Sequence, residues 1–281
     1  MISYYFSRFC QILQEAVFPP KCLACAAFYR IADHSPGRRS AGSNPSVGST
    51  ASIQAGMDES LAAVLCPDCL GQLINVESPL CLCCGLPFKS RQGPDHHCGQ
   101  CLDTGHKFGQ ARAALVYEPV ITKLIHCFKY LGKTQLTGPF GELLLTTFIN
   151  LWDRDNIDII LPVPLHPGRF RRRGFNQAYL LIRNWPDLAV RRSFDMSPIR
   201  IERDVLVRKT ATAPQTALSR DQRAVNIKNA FDLNPDKTIV DERILLIDDV
   251  YTTGATANEC AGLLIKGGAQ RVDVLTLARA V

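Results

Sequence analysis

Two neighbouring carboxylates close an apolar run at Ile244-Leu245-Leu246-Ile247-Asp248-Asp249, and a small hydroxylated turn follows at Thr252-Thr253-Gly254-Ala255-Thr256. The apolar run has the length of a buried strand. Asp248 and Asp249 therefore fall at its carboxyl end, where open α/β sheets take their ligands. Residues 257–266 have a helical pattern, so the turn offers backbone N–H groups and hydroxyls at a helix N-terminus, a ready anion site. Gly254 lets the backbone approach a phosphate closely. Each part alone is ordinary: strand ends are often acidic, and Thr is a common helix cap. Their contiguity points to a ligand that combines a phosphate with a sugar diol or a metal ion.

A second chemistry lies upstream. Cys22-x-x-Cys25, Cys66-x-x-Cys69, Cys81-x-x-Cys84 and Cys98-x-x-Cys101 form four like-spaced pairs. Each pair can supply two thiolates, and two pairs complete a tetrahedral zinc site. Sequential pairing is the simplest: Cys22, Cys25, Cys66 and Cys69 around one structural zinc, and Cys81, Cys84, Cys98 and Cys101 around another. Interleaved pairing remains open. A redox role fits poorly, because redox pairs come singly beside a βαβ pattern. Cys83 reads as a spare thiol and His96 and His97 as exposed loop residues, whereas Cys10, Cys127 and Cys260 read as buried apolar residues on helices.

The remaining sequence must position these groups. The chain has 281 residues, 46% hydrophobic, with a formal net charge of +6. That balance permits anionic ligands or nucleic acid without demanding either. No apolar run reaches the length of a membrane span, and the N-terminus lacks secretory-signal features. Twelve cysteines in such a chain favour metal over disulfides. Residues 1–17 carry one apolar helical stripe, expected to dock on the protein and not on a membrane surface. Residues 34–60 are rich in Ser, Gly and Ala and read as a flexible insertion. From about residue 108 strands and helices alternate. Strands are expected at 111–117, 157–161, 204–207, 243–250 and 271–277, and helices at 118–130, 141–151, 177–182 and 219–227. Such alternation argues for a parallel sheet wrapped in helices. Between 157–161 and the next helix, Arg169, Arg171, Arg172, Arg173 and Gly174 read as a basic loop on the same rim as Asp248. A solvated turn, a pyrophosphate site and a nucleic-acid contact are all compatible with it. The polar segment 208–223, with Arg208, Lys209, Gln215, Arg220 and Arg223, reads as a lid or a plain surface excursion.

The Asp248-to-Thr256 stretch resembles the phosphoribosyl pyrophosphate (PRPP) loop of type I phosphoribosyltransferases. That resemblance implies that Asp248 and Asp249 face the ribose and that Thr252 to Thr256 wrap the 5′-phosphate. Other features occur in order with it: the cysteine pairs, Pro162-Val163-Pro164-Leu165, Arg173-Gly174-Phe175-Asn176-Gln177, and the Arg208…Gln215…Arg223…Asn226…Phe231 series. Together they resemble the ComF family over nearly the whole chain except 34–60. The resemblance implies a double zinc ribbon (1–107) joined to a type I phosphoribosyltransferase-like domain (108–281). It also implies a cytoplasmic protein, at most peripheral to the inner membrane, with a role in DNA uptake during natural transformation. Three functions follow from these readings. One is a protein that binds PRPP with magnesium, catalytic through Asp248 and Asp249 if it turns over, with Arg171, Arg172, Arg173 and Gly174 on the pyrophosphate side. A second is a single-stranded-DNA-binding factor that meets the uptake machinery and uses PRPP only as a regulator. The third is a scaffold with a degenerate nucleotide fold. No residue pattern names an acceptor base or amine.

Overall fold

The computed structural model describes residues 19–30, 60–90, 92–210 and 227–281. The expected helix at 1–17, nearly all of the insertion at 34–60, and most of the 208–223 segment and the 219–227 helix lie outside the described residues.

Five strands form one parallel sheet in the order β1-β7-β6-β2-β3: β1 (Ala111–Val116), β2 (Ile159–Pro162), β3 (Arg200–Ile201), β6 (Arg243–Tyr251) and β7 (Arg271–Arg279). The parallel α/β class expected from the alternating pattern is thus what the chain adopts. β6 is central because it is apolar on both faces. Ile244 and Leu246 enter one half of the core, and Leu245 and Ile247 the other. On one face pack α4 (Thr137–Leu151), α6 (Gln177–Ile182) and α7 (Trp185–Arg191). The other face takes α8 (Ala255–Lys266) and the Cys81–Cys101 region. Chain connections leave β6 toward β7 and leave β2 toward β3, so the order reverses between β6 and β2. That is the crevice in which doubly wound sheets bind ligands.

Two elements differ from the sequence reading. The arginine-rich segment is a helix, α5 (Pro167–Arg173), and not a loop. Pro167 opens it and Gly174, at φ 84°, closes it. This is the usual Pro-first, Gly-last asymmetry, obscured in the sequence by the run of charges. In addition, β4 (Leu206–Arg208) pairs antiparallel with β5 (Phe231–Leu233) in a separate ribbon. β4 overlaps the strand expected at 204–207, whereas β5, three residues long, carries too little alternation to be read in advance.

The amino ends of the strands are tied by charge. Asp158 receives the Arg243 backbone N–H at 2.8 Å and its Nε at 2.9 Å, locking β6 to the start of β2. On β7, Asp273 is 2% exposed and accepts from Trp152 Nε1 at 2.8 Å, from the Gln110 backbone at 3.1 Å and from Arg271 Nε at 2.9 Å. Asp273→Ala strands these donors, and the expected cost is about 2–4 kcal/mol, read as a lowered urea midpoint with an unchanged slope.

Candidate functional site

The cysteines gather as two separate groups: Cys22, Cys25, Cys66 and Cys69 in one, and Cys81, Cys84, Cys98 and Cys101 in the other. Sequential pairing is therefore realised and interleaving is not. Both groups are built alike. The first pair sits on a tight turn between bridged residues, Lys21 with Phe28 and Leu80 with Pro87. The second pair opens a short helix, α1 (Pro67–Leu70) with Cys66 as its cap and α2 (Gly99–Asp103) with Cys98 as its cap. Cys25 Sγ stands 3.6 Å from Cys66 Sγ, and Cys84 Sγ 3.8 Å from Cys98 Sγ. Tetrahedral zinc with bonds of about 2.3 Å would set sulfurs about 3.8 Å apart. The donor sets are thus compatible with two zinc sites. Burial opposes ionisation of Cys22 and Cys81, but backbone N–H donors outweigh it and hold these thiols down at about 7 and about 6. Gly85 closes the second turn at φ 67°, where a Cβ would strike the Ala111 carbonyl oxygen at 2.4 Å. His96 and His97 are exposed and Cys260 is buried, as the sequence implied, whereas Cys127 is only half-buried and Cys10 lies outside the described residues; Cys83 lies close to Cys101 and His106.

At the β6–β2 crevice the acids, the turn and the arginine helix meet. One cavity of about 310 Å³ is lined by Asp248, Asp249, Thr252 to Thr256, Tyr117, Lys129 and Thr276. An adjoining cavity of about 290 Å³ adds Arg169, Arg172, Arg173, Gln177 and Arg208. Lys129, Val163, Asp248, Asp249 and Thr256 line both, so the two form one connected groove. Gly254, at φ 77°, caps α8 and aims the first-turn N–H groups of that helix into the groove. Arg171 and Gly174 are not among the lining residues of these two cavities, although both belong to the same short segment as Arg172 and Arg173.

Charge at this corner is balanced across elements. Lys129 of α3 (Pro119–Tyr130) forms an ion pair with Asp249. The last turn of α3 thus reaches the carboxyl end of β6, and the helix lies along that edge instead of returning down the sheet. Burial drops Lys129 to about 8 although Asp248 pulls it up. Burial likewise pushes Asp248 up to about 6, against the opposing pull of Lys129 and Arg208. Arg173 lies 5.0 Å over the Tyr130 ring and donates to Gln177 Oε1 at 2.5 Å. The result is a cationic wall facing two carboxylates and an N-terminal helix turn. Such a wall suits a polyanion that also carries hydroxyls or a divalent ion.

Lys129 was not legible as a site residue, because it reads as the polar face of an ordinary amphipathic helix. Arg208 was legible only as part of the expected lid. Asp248 carries a pH signature. Its folded-state pKa lies above the ordinary 3.8, so its contribution to stability is full below that value and is lost as pH rises through about 6. Asp248→Asn is expected to abolish this decline, seen as urea midpoints that no longer fall over that interval.

No family model matches the chain. Curated relatives do. The DNA utilization protein YhgH of Escherichia coli O6:H1 is 32% identical over 76% of this chain and 90% of its own length. Competence protein F of Haemophilus influenzae is 31% identical over 76% of this chain and 96% of its own length. Competence protein ComFC of Bacillus subtilis is 28% identical over 76% of this chain and 84% of its own length. Among solved structures, a purine phosphoribosyltransferase from Pyrococcus horikoshii Ot3 covers 52% of this chain and 87% of its own at 13% identity, with a TM-score of 0.28, and nothing below rests on it. With that identity spread over most of both chains, and with the paired cysteines and the β6 acids folded as described, the chain belongs to the ComF family.

Proposed function

We propose that the groove between β6 and β2 binds PRPP together with magnesium, in a protein that serves DNA uptake during natural transformation. The observation that carries this reading is the single groove in which two acids, a helix N-terminal turn and an arginine helix converge. Asp248 and Asp249 face the ribose hydroxyls and the metal. Thr252, Thr253, Gly254, Ala255 and Thr256 hold the 5′-phosphate. Arg172 and Arg173, with Arg171 and Gly174 completing the segment, serve the pyrophosphate side, and Lys129, Arg169 and Arg208 extend that wall. Bound magnesium supplies charge neutralisation along the diphosphate. Both cysteine groups hold structural zinc, which closes two loop-rich turns that have little core of their own. We keep the division into a zinc ribbon part (1–107) and a phosphoribosyltransferase-like part (108–281).

In favour of the uptake role are the relatives whose names include competence and DNA utilization. In that role the protein works in the cytoplasm, beside the uptake machinery at the inner membrane, on single-stranded DNA. Among the described residues no helix is long and apolar enough to cross a membrane. A second reading, active phosphoribosyl transfer, is favoured by one feature: Lys129 and the arginines stand where charge would build on departing pyrophosphate. In that reading Asp248 and Asp249 are the catalytic acids.

The pyrophosphate wall can be separated from the phosphate turn. Arg169→Ala/Arg172→Ala is expected to weaken PRPP at least about tenfold while leaving ribose 5-phosphate binding unchanged. Gly254→Val is expected to weaken both, because it forces a branched side chain into a left-handed turn. Fluorescence titration with each sugar phosphate checks this, and equal losses for both ligands in the arginine variant would contradict it. Elemental analysis is expected to find zinc at both cysteine groups, with the content halved in Cys98→Ser.

A further inference from the structure

Arg279 closes β7 and is 6% exposed. Among the described ion pairs none gives it a carboxylate partner. Its Nη2 donates to Cys84 Sγ at 3.2 Å, and its Nε and Nη1 are buried with no hydrogen-bond partner. The guanidinium carbon lies 4.4 Å over the ring of Tyr251, the residue paired with Arg279 across the β6–β7 ladder. Tyr251 lies against the phosphate turn. A methyl group at Gly254 would come within 2.2 Å of the Tyr251 hydroxyl oxygen, so the phenol sets how the turn can fold. The chain is continuous from metal group to turn: Cys84, Arg279, Tyr251, Gly254.

A buried cation needs a counter-charge. Four thiolates around one divalent ion leave a net double negative charge, and Cys84 belongs to such a group. An ion bound there would displace the thiol protons, and the thiolates so formed would supply the counter-charge that keeps Arg279 buried over Tyr251. The group at Cys22, Cys25, Cys66 and Cys69 has a different neighbour. It packs toward α3, where Cys127 Sγ donates to the Leu23 carbonyl at 3.9 Å.

We propose that Arg279 is a positioning residue that couples metal occupancy of the Cys81/Cys84/Cys98/Cys101 group to the conformation of the 252–256 turn. As an effect on ligand affinity, the coupling rests on the reading of that turn as the phosphate site. As an effect on the turn itself, it does not. Occupancy of the second group tightens the turn, and a phosphate ligand on the turn in return slows metal loss from that group, because coupling is reciprocal.

Hydrogen exchange on the full chain tests this without a ligand. In zinc-replete protein, Cys98→Ser is expected to speed exchange of amides 250–257 about tenfold or more, while peptides from β2 stay protected. Cys66→Ser, which disables the other group, is expected to leave 250–257 unchanged. Arg279→Met is expected to reproduce the Cys98→Ser pattern while both metals remain bound by elemental analysis, and adding Cys98→Ser to it is expected to speed 250–257 no further, an outcome that independent packing roles would not give. Wild-type exchange at 250–257 in Cys98→Ser, or in Arg279→Met with full metal content, overturns the proposal. Equal loosening in the two cysteine variants overturns it as well. Should Arg279→Met fail to fold, the cysteine pair decides. PRPP titration of the same samples separates the two ideas: a turn that follows the metal in a protein that binds no PRPP sinks the ligand reading and leaves the coupling.

Discussion

Carboxylates at the end of a buried strand resist desolvation, and the rest of this corner is arranged around that cost. Lys129 comes from α3 and pairs with Asp249. Arg208 comes from the β4–β5 ribbon and, with Lys129, opposes the burial that raises Asp248. Burial in turn depresses Arg208, neighbouring Arg169 adds to the effect, and Asp248 offsets it. Three elements far apart in sequence are thus held together by one electrostatic balance. A ligand that brings its own negative charge and a divalent ion can replace part of that balance instead of adding to it.

The sheet makes the arrangement possible. Its order reverses between β6 and β2, so the loops after those strands diverge and leave a groove. The loop after β6 turns at once into α8, giving an N-terminal anion site. The chain after β2 turns into α5, whose Arg169, Arg172 and Arg173 line the same groove. On the opposite face from α4, the second cysteine group packs against β1, β6 and β7 through Phe108, Val272 and Val274. The second cysteine group is therefore part of the wall behind the 252–256 turn and not a remote appendage.

Much of this could be read from the chain before folding, for a physical reason in each case. The acids and turn are contiguous, so strand length and helix capping place them without tertiary information. The CxxC spacing encodes a two-thiolate turn locally, but the grouping does not follow from separation along the chain, since Cys69 lies nearer in sequence to Cys81 than Cys66 does to Cys25, and only the fold brings the first two pairs together. The residues that escaped notice depend on contacts across long separations. Lys129 meets Asp249 only because α3 lies along the rim, whereas its periodicity describes any surface helix. Arg279 looks like a terminal strand residue until β7 settles beside β6 and brings it over Tyr251. The α5 helix was hidden by its own charge, although Pro167 and Gly174 marked both of its ends.

The account depends on a phosphorylated sugar seating on the β6 acids. Calorimetric titration of PRPP with magnesium into the intact protein, set against Asp248→Asn/Asp249→Asn of unchanged circular dichroism, tests that directly. One-to-one binding that disappears in the double variant is the predicted result. Equal affinity in both proteins, or no heat in the intact one, would contradict it.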